Sequence, residues 1–424
     1  MELSFLAKAF NIDTVVCDFM EKHDWAEAEK SYCDIPALLD EKNILNRWNT
    51  LQLRHDPAPL LAAVKRALQS EELKHLFHYL DFYWWKSSQC EIYGYRLPRF
   101  TDIAGEEEGA LLDLALALAG CDAIEKTFAR LGIPREYALA AEERINADII
   151  SYQTYHDGKL GYAENGHHWM RFFVEGKLFR LGRLEFMIEP APLIFAPAVY
   201  RRRSDGAVIA LARHDWKFNA DGWRLWRGDD PAGACCTAEL QTAGDCIRGI
   251  PIHPAGYAEI GKTVVLNKKD FDPLWSDWDL VPDLHIPPGG NMTLSACLDS
   301  LQQALEFFPR YFRRTPAAFT SFSWIFNPDF IGVLPESNIS KFMQELYLSP
   351  LTSNGQDGLW FVFGRSAEDW SDFPADNSIR RAFHELRKQG RRLKTGGMFI
   401  EAGGIADFGN QHYRKNYIAD EYLI

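Results

Sequence analysis

No pair among the eight cysteines of this 424-residue chain stands in C-x-x-C spacing. Cys17, Cys33, Cys90, Cys121, Cys235, Cys236, Cys246 and Cys297 are scattered, which argues against a zinc ribbon and a thioredoxin-type pair and fits reduced thiols in a bacterial-type cytosol. The opening Met1-Glu2-Leu3-Ser4-Phe5-Leu6 lacks the basic start and small-residue cleavage site of a secretory signal. Long hydrophobic runs are missing too. Ala110 to Ala119 is interrupted by Asp113 and falls short of the roughly 20 apolar residues of a membrane span, so it predicts a buried helix and no membrane partner. Positive charge is in deficit, 46 Lys+Arg against 59 Asp+Glu for a net −13. That balance argues against a nucleic-acid partner and suits a cytoplasmic protein.

Motifs of several chemistries are absent as well. No H-E-x-x-H occurs, and neither His75 with His78 nor His167-His168 has an acidic or cysteine partner at ligand spacing, so no metal is expected. The lack of a G-x-S-x-G elbow and of a Walker loop sets aside hydrolase and NTPase readings. No repeat of fixed period and no low-complexity tract is present, and nothing in the sequence sets an oligomeric state.

What is present is material for packed cores: 47% hydrophobic and 13% aromatic residues, enough for two or three domains. Residues 1–160 predict an all-α domain. Asp56-Pro57 reads as a cap followed by proline in the first turn, and Leu73, Leu76, Phe77 and Leu80 repeat at the helical period. Ala141, Ile145, Ile149 and Tyr152 do the same. The Gly-bearing joint from His156 to Gly166 marks the boundary.

Residues 165–405 predict an α+β domain with a mixed sheet, followed by a tail, 406–424. Strand-like stretches are Trp169 to Val174, Lys177 to Leu181, Leu184 to Ile188 and Ala207 to Leu211. A hairpin is expected about Asp221-Gly222, from Trp216 to Trp226, and a long loop over 228–256. The order is then strand 277–286, helix 294–308, strand 317–324, helix 338–346, strand 359–364, helix 378–389 and strand 397–401.

Strand 277–286 enters its helix through Pro287-Pro288-Gly289-Gly290. Such a turn presents free backbone N–H groups and the positive end of a helix dipole, which suits the phosphates of a nucleotide-tailed cofactor. Two prolines remove two donors, while Gly289, Gly290, Asn291 and Met292 keep theirs. Thr293 reads as the helix cap and Ser337-Asn338 as the cap of the next helix.

Asp283 and His285 are two apart on a strand and share one face. They suit a general base and its orienter, or a histidine that caps the turn or bonds a backbone carbonyl. Ser321 and Ser323 share a face of strand 317–324, either as donors to a thioester oxygen or as small residues packing against a neighbouring strand. Glu185 is a second base, or the ion-pair partner of Arg183. Arg380, Arg381, Arg387, Lys388, Arg391, Arg392 and Lys394 form a basic cluster, with Arg201-Arg202-Arg203 a weaker one. Each is a solvated face or a contact for an anion.

Several stretches resemble the N-acetyltransferase (GNAT-type) fold, and more closely a bacterial acyltransferase-like group that pairs a helical N-terminal domain with a GNAT-like C-terminal domain. They are Leu178-Phe179-Arg180-Leu181-Gly182-Arg183-Leu184-Glu185-Phe186, Asp283-Leu284-His285-Ile286-Pro287 with Gly289-Gly290, Ser323-Trp324, Leu334-Pro335 with Ser337-Asn338-Ile339, and Ser378-Ile379-Arg380-Arg381-Ala382. The resemblance implies acyl-coenzyme A between strands 277–286 and 317–324, with its pyrophosphate on the amides from Gly289 to Thr293. It implies transfer to a small-molecule amine, with His285, Asp283, Glu185 and Ser323 as the candidate catalytic groups. The family's usual Arg/Gln-x-x-Gly-x-Gly/Ala turn is replaced here by Pro287-Pro288-Gly289-Gly290-Asn291-Met292, which leaves open a non-catalytic binding or scaffolding protein on the same fold.

Overall fold

Leu73, Leu76, Phe77 and Leu80 lie buried along the helix Glu71–Trp85, apart from Leu73 at its edge, and the Ser70 hydroxyl caps that helix by accepting from the Leu73 N–H at 3.2 Å. The structure, a computed structural model, describes residues 1–32, 39–91, 97–163, 165–189, 193–225 and 233–424. Eleven helices run from Leu3 to Val174 among the described residues. The longest, Glu106–Arg130, starts on three glutamates and buries every residue from Gly109 to Leu118. Acids in the first turn offset the helix dipole, and each buried leucine contributes about 1.5–3 kcal/mol. It is the buried helix the sequence predicts, and among the described residues no helix is long and apolar enough to cross a membrane.

The chain divides into two compact units, Met1–Arg180 with Pro287–Gly289, and Leu181–Ile286 with Gly290–Ile424. Trp169 to Val174, expected as a strand, lies in the helix Asn165–Val174. Its buried His167, Met170, Arg171 and Val174 follow helical spacing, a signal that the aromatic content obscures.

In the second unit the strands Leu184–Met187, Asp283–His285, Ala318–Ser323, Gly396–Glu401 and Tyr347–Pro350 lie side by side in this order in a mixed sheet. A parallel pair joins Asp283–His285 to Ala318–Ser323, with the helix Leu294–Phe312 as the connection. The fold class is therefore α+β, a helical region followed by a mixed-sheet domain, as the sequence predicts. An antiparallel five-stranded sheet and a three-stranded one lie between residues 198 and 273. Ile209, Leu211, Ile247, Leu266 and Phe271 form one buried cluster there with Ile418 and Ala419.

Three further expectations change. Strand 277–286 shortens to Asp283–His285, because Ser276 to Asp279 forms a turn closed by the Asp279 carboxylate. The expected strand 359–364 is the helix Leu359–Phe363, which starts and stops at left-handed Gly358 (φ +89) and Gly364 (φ +72) and buries Leu359, Val362 and Phe363. The sheet strand in this part of the chain is instead Tyr347–Pro350, buried at all four positions and so without an alternating signal. The expected loop 228–256 contains the strands Cys236–Thr237, Gln241–Ala243, Cys246–Gly249 and Pro251–His253, the third alternating in burial. The hairpin does reverse at Asp221-Gly222, with the Leu225 N–H donating to the Lys217 carbonyl, although its expected end at Trp226 lies outside the described residues.

Candidate active site

Pairing of the two parallel strands stops early. Thr320 donates its N–H to the Pro282 carbonyl at 3.1 Å, and Asp283 opposite Thr320 is the paired position. Beyond it Ser321, Phe322 and Ser323 pair with Gly396–Glu401, and Leu284 and His285 pair with Leu184–Met187. The strands therefore part on the side of the chain where the turn enters its helix.

The register brings three candidates together. His285 stands directly opposite Glu185, and Asp283 opposite Met187, so Glu185, Asp283 and His285 share one sheet face. His285 Nε2 lies 3.2 Å from Asp283 Oδ2. Glu185 is fully buried. Asp283 Oδ1 is buried and makes no hydrogen bond among the described residues. The same holds for the Oγ1 of Thr320, the residue in register with Asp283 and fully buried. Thr320 is the member of this group that sequence reasoning missed. Its place depends on the register between two strands, and nothing within the strand itself records that.

Ser323 is not part of the group. Alternation along the strand puts Ser321 and Ser323 on the face of Phe319, whose ring packs against Phe186 at 5.2 Å between centroids. The Ser323 hydroxyl instead accepts from the Ile325 N–H at 3.4 Å, at the start of the 3-10 turn Trp324–Phe326.

At the turn, Gly289 and Gly290 have φ of +74 and +67 and are followed by Asn291 and Met292. Among the described residues none of these four amides donates a hydrogen bond. Thr293 caps the helix Leu294–Phe312 by accepting from the Ala296 N–H at 3.3 Å. A side chain built at Gly290 would meet the Arg183 guanidinium at 3.4 Å, so a cation lies beside the turn. Arg183 sits in the turn Gly182-Arg183 ahead of its strand, held by its N–H donating to Ser300 Oγ of the same helix at 2.8 Å. Burial pushes the nearby Cys297 thiol up to about 12, so it is neutral at pH 7 and no nucleophile.

The other candidates have local partners. Arg201 pairs with Glu401, Arg203 with Asp272, Arg380 with Asp376, Arg387 with Asp369, and Lys394 and Arg391 share Asp329. Ser337 caps its helix as expected, accepting from the Ser340 N–H. His75 contacts Glu29 and His78 the Ala28 carbonyl, while His167 donates to the Asp113 carbonyl and is held by burial down at about 3. Among the described residues no three His, Cys, Asp or Glu side chains form a group that could hold a metal ion.

Residues 178–400 match the family described as the GNAT-like C-terminal domain, and the chain belongs to it. Three crystal structures of acyltransferases are similar over 95% of this chain. One, in complex with decanoyl-CoA and teicoplanin, is 16% identical, matched over 100% of its own length, with a TM-score of 0.57. A mutant acyltransferase in complex with octanoyl-CoA is 18% identical over 99% of its length at 0.58. A third, in complex with CoA and 10C-teicoplanin, is 16% identical over 100% of its length at 0.58. At such identity the likeness establishes the fold. None of the curated proteins compared matches the chain.

Proposed function

We propose that this member of the GNAT-like C-terminal domain family is a cytoplasmic N-acyltransferase that moves an acyl group from acyl-coenzyme A to the amine of a small molecule. The observation that carries the reading is the parting of the strands Asp283–His285 and Ala318–Ser323 next to a helix-opening turn with four unengaged amides and a neighbouring guanidinium. Such amides suit a pyrophosphate, and Gly289, Gly290, Asn291, Met292 and Thr293 are the residues that would hold it. Similar acyltransferases have been crystallised with CoA or acyl-CoA, two of them together with teicoplanin or its derivative.

Acyl-CoA supplies an activated thioester carbonyl. The amine nitrogen forms the new C–N bond, the C–S bond breaks, and coenzyme A leaves as the thiolate. The proton lost by the amine goes to His285, oriented by Asp283, with Glu185 as the second-choice base. Backbone N–H groups of the strand Ala318–Ser323 are suited to stabilise the oxyanion where pairing with the parallel neighbour has ended.

A non-catalytic binding module is the second reading, favoured by Pro287-Pro288, which removes two donors from the turn. The experiment is thermal unfolding with acetyl-, malonyl-, octanoyl- and decanoyl-CoA at millimolar concentration, followed by a thiol-release screen over amines. A melting temperature that rises with ligand concentration, and thiol release with an amine, support the enzyme. A rise without release with any amine supports the binding module. No rise with any thioester removes the enzyme and favours a non-catalytic binding or scaffolding module whose turn has lost its cofactor.

A further inference from the structure

Across the gap between the parted strands, the residue that stands level with His285 is aromatic. Asp283 and Thr320 are directly opposed on parallel strands, so their side chains share a face of the sheet. His285 and Phe322 each lie two residues further along, and alternation keeps both on that face. Two contacts agree with this placement. A side chain built at Gly397, which pairs with Phe322, would meet the Phe322 ring at 3.1 Å, so the ring lies over that glycine. Phe319, one position off, meets Phe186 on the opposite face at 5.2 Å between centroids.

Exposure changes along the shared face. Glu185 and Thr320 are fully buried, whereas the His285 side chain is 27% exposed and Phe322 is half-buried. Phe195 sets its ring edge-on to that of Phe322 at 6.0 Å and is itself 39% exposed. Two aromatic rings therefore form a wall at the accessible end of the face that carries the candidate base. All of these residues belong to the second unit. The backbone also brings Phe322 to the gap. Thr320 gives its N–H to the Pro282 carbonyl at 3.1 Å, and N–H groups two apart along a strand point the same way, so the Phe322 N–H is directed toward the same neighbour.

An amine that gives its proton to His285 must approach on the face where His285 stands. The carbon skeleton bound to its nitrogen then meets what stands across the gap on that face. Aromatic rings receive apolar and aromatic groups by burial and by edge-on or offset contacts. We propose that Phe322 and Phe195 form the acceptor subsite and select a primary amine with an aromatic or bulky apolar skeleton close to its nitrogen. This inference rests on the acyl-transfer reading, which supplies the reason for placing the amine there and not the acyl chain.

The test compares 2-phenylethylamine with ethanolamine, two primary amines of similar basicity. Each is titrated calorimetrically into the full chain in the presence of coenzyme A, and each is assayed for thiol release from acetyl- and octanoyl-CoA. 2-Phenylethylamine should bind about tenfold more tightly or better and react with a correspondingly higher kcat/KM. Phe322→Ala should lose about tenfold in that preference. Phe195→Ala, which truncates the more exposed ring, should weaken it in the same direction and serves if the Phe322 variant does not fold. Equal or absent binding of the two amines, or a preference undiminished in whichever variant folds, overturns the proposal; thiol release with another amine would then leave acyl transfer standing. Tight binding of 2-phenylethylamine that these variants weaken, without thiol release from either thioester, keeps the subsite and removes acyl transfer. A changed preference between octanoyl- and acetyl-CoA with the amine preference intact also overturns the proposal, because it would assign the wall to the acyl chain.

Discussion

Replacing Thr320 by valine should make the protein more stable. Thr320 is fully buried in the strand Ala318–Ser323, between the neighbours that carry Asp283 and Phe399, and its Oγ1 makes no hydrogen bond among the described residues. A buried hydroxyl without a partner costs about 1–3 kcal/mol of desolvation, and valine puts a methyl of similar size in its place. Taking the lower half of that range, about 1–2 kcal/mol, and about 2–4 °C per kcal/mol for a unit of this size, the midpoint should rise by roughly 2–8 °C. Calorimetry would read it, and a urea titration should show a higher midpoint at unchanged slope. Thr320→Ser is the control: it keeps the hydroxyl, loses a buried methyl and should melt lower than the parent. An unchanged or lower midpoint for the valine variant would refute the reasoning, because it would mean the hydroxyl is satisfied by a water. If Thr320 also serves the reaction through Asp283, whose Oδ1 is likewise unsatisfied, thiol release should fall in the same variant that melts higher.

Three further outcomes are expected. Burial raises the Glu142 carboxyl from 4.5 to about 7 although Arg47 lies 3.0 Å away, so the folded chain holds a proton there that the unfolded chain has lost. That contribution is fully present below about 4.5 and disappears as pH rises through about 7, with a slope of at most about 1.4 kcal/mol per pH unit. Melting curves of Glu142→Gln should be flatter than the parent's over this window, and equal slopes would show that Glu142 is not the titrating group. His285→Ala should lower thiol release about 100- to 10,000-fold in a variant that still folds, whereas unchanged turnover would pass the role of base to Glu185. Gly396→Ala places a methyl 2.1 Å from the Phe326 carbonyl oxygen and should cost about 1–3 kcal/mol in a urea titration; an unshifted midpoint would show that this carbonyl moves freely.

Periodicities and caps confined to a few turns of chain were legible without coordinates. The spacing of Leu73, Leu76, Phe77 and Leu80, the Thr293 and Ser337 caps and the strand–turn–helix–strand order around Gly290 depend on neighbours within about a dozen residues. Short apolar segments were not legible. Leu359–Phe363 and Tyr347–Pro350 are both too brief for a period to separate helix from strand, and what separates them is two left-handed glycines in one case and a place at the sheet edge in the other. The same limit governed the candidate site. That Asp283 and His285 share a face follows from alternation alone, but that Glu185 joins them, that Thr320 does and that Ser323 does not are facts of register. Register is set by how strands some 35 to 100 residues apart bury their faces together, and a slip of one residue would invert every such assignment. Arg414 marks the far end of this scale. The sequence determines that it is a cation, while only tertiary packing leaves its Nε and Nη2 buried and without a hydrogen bond among the described residues.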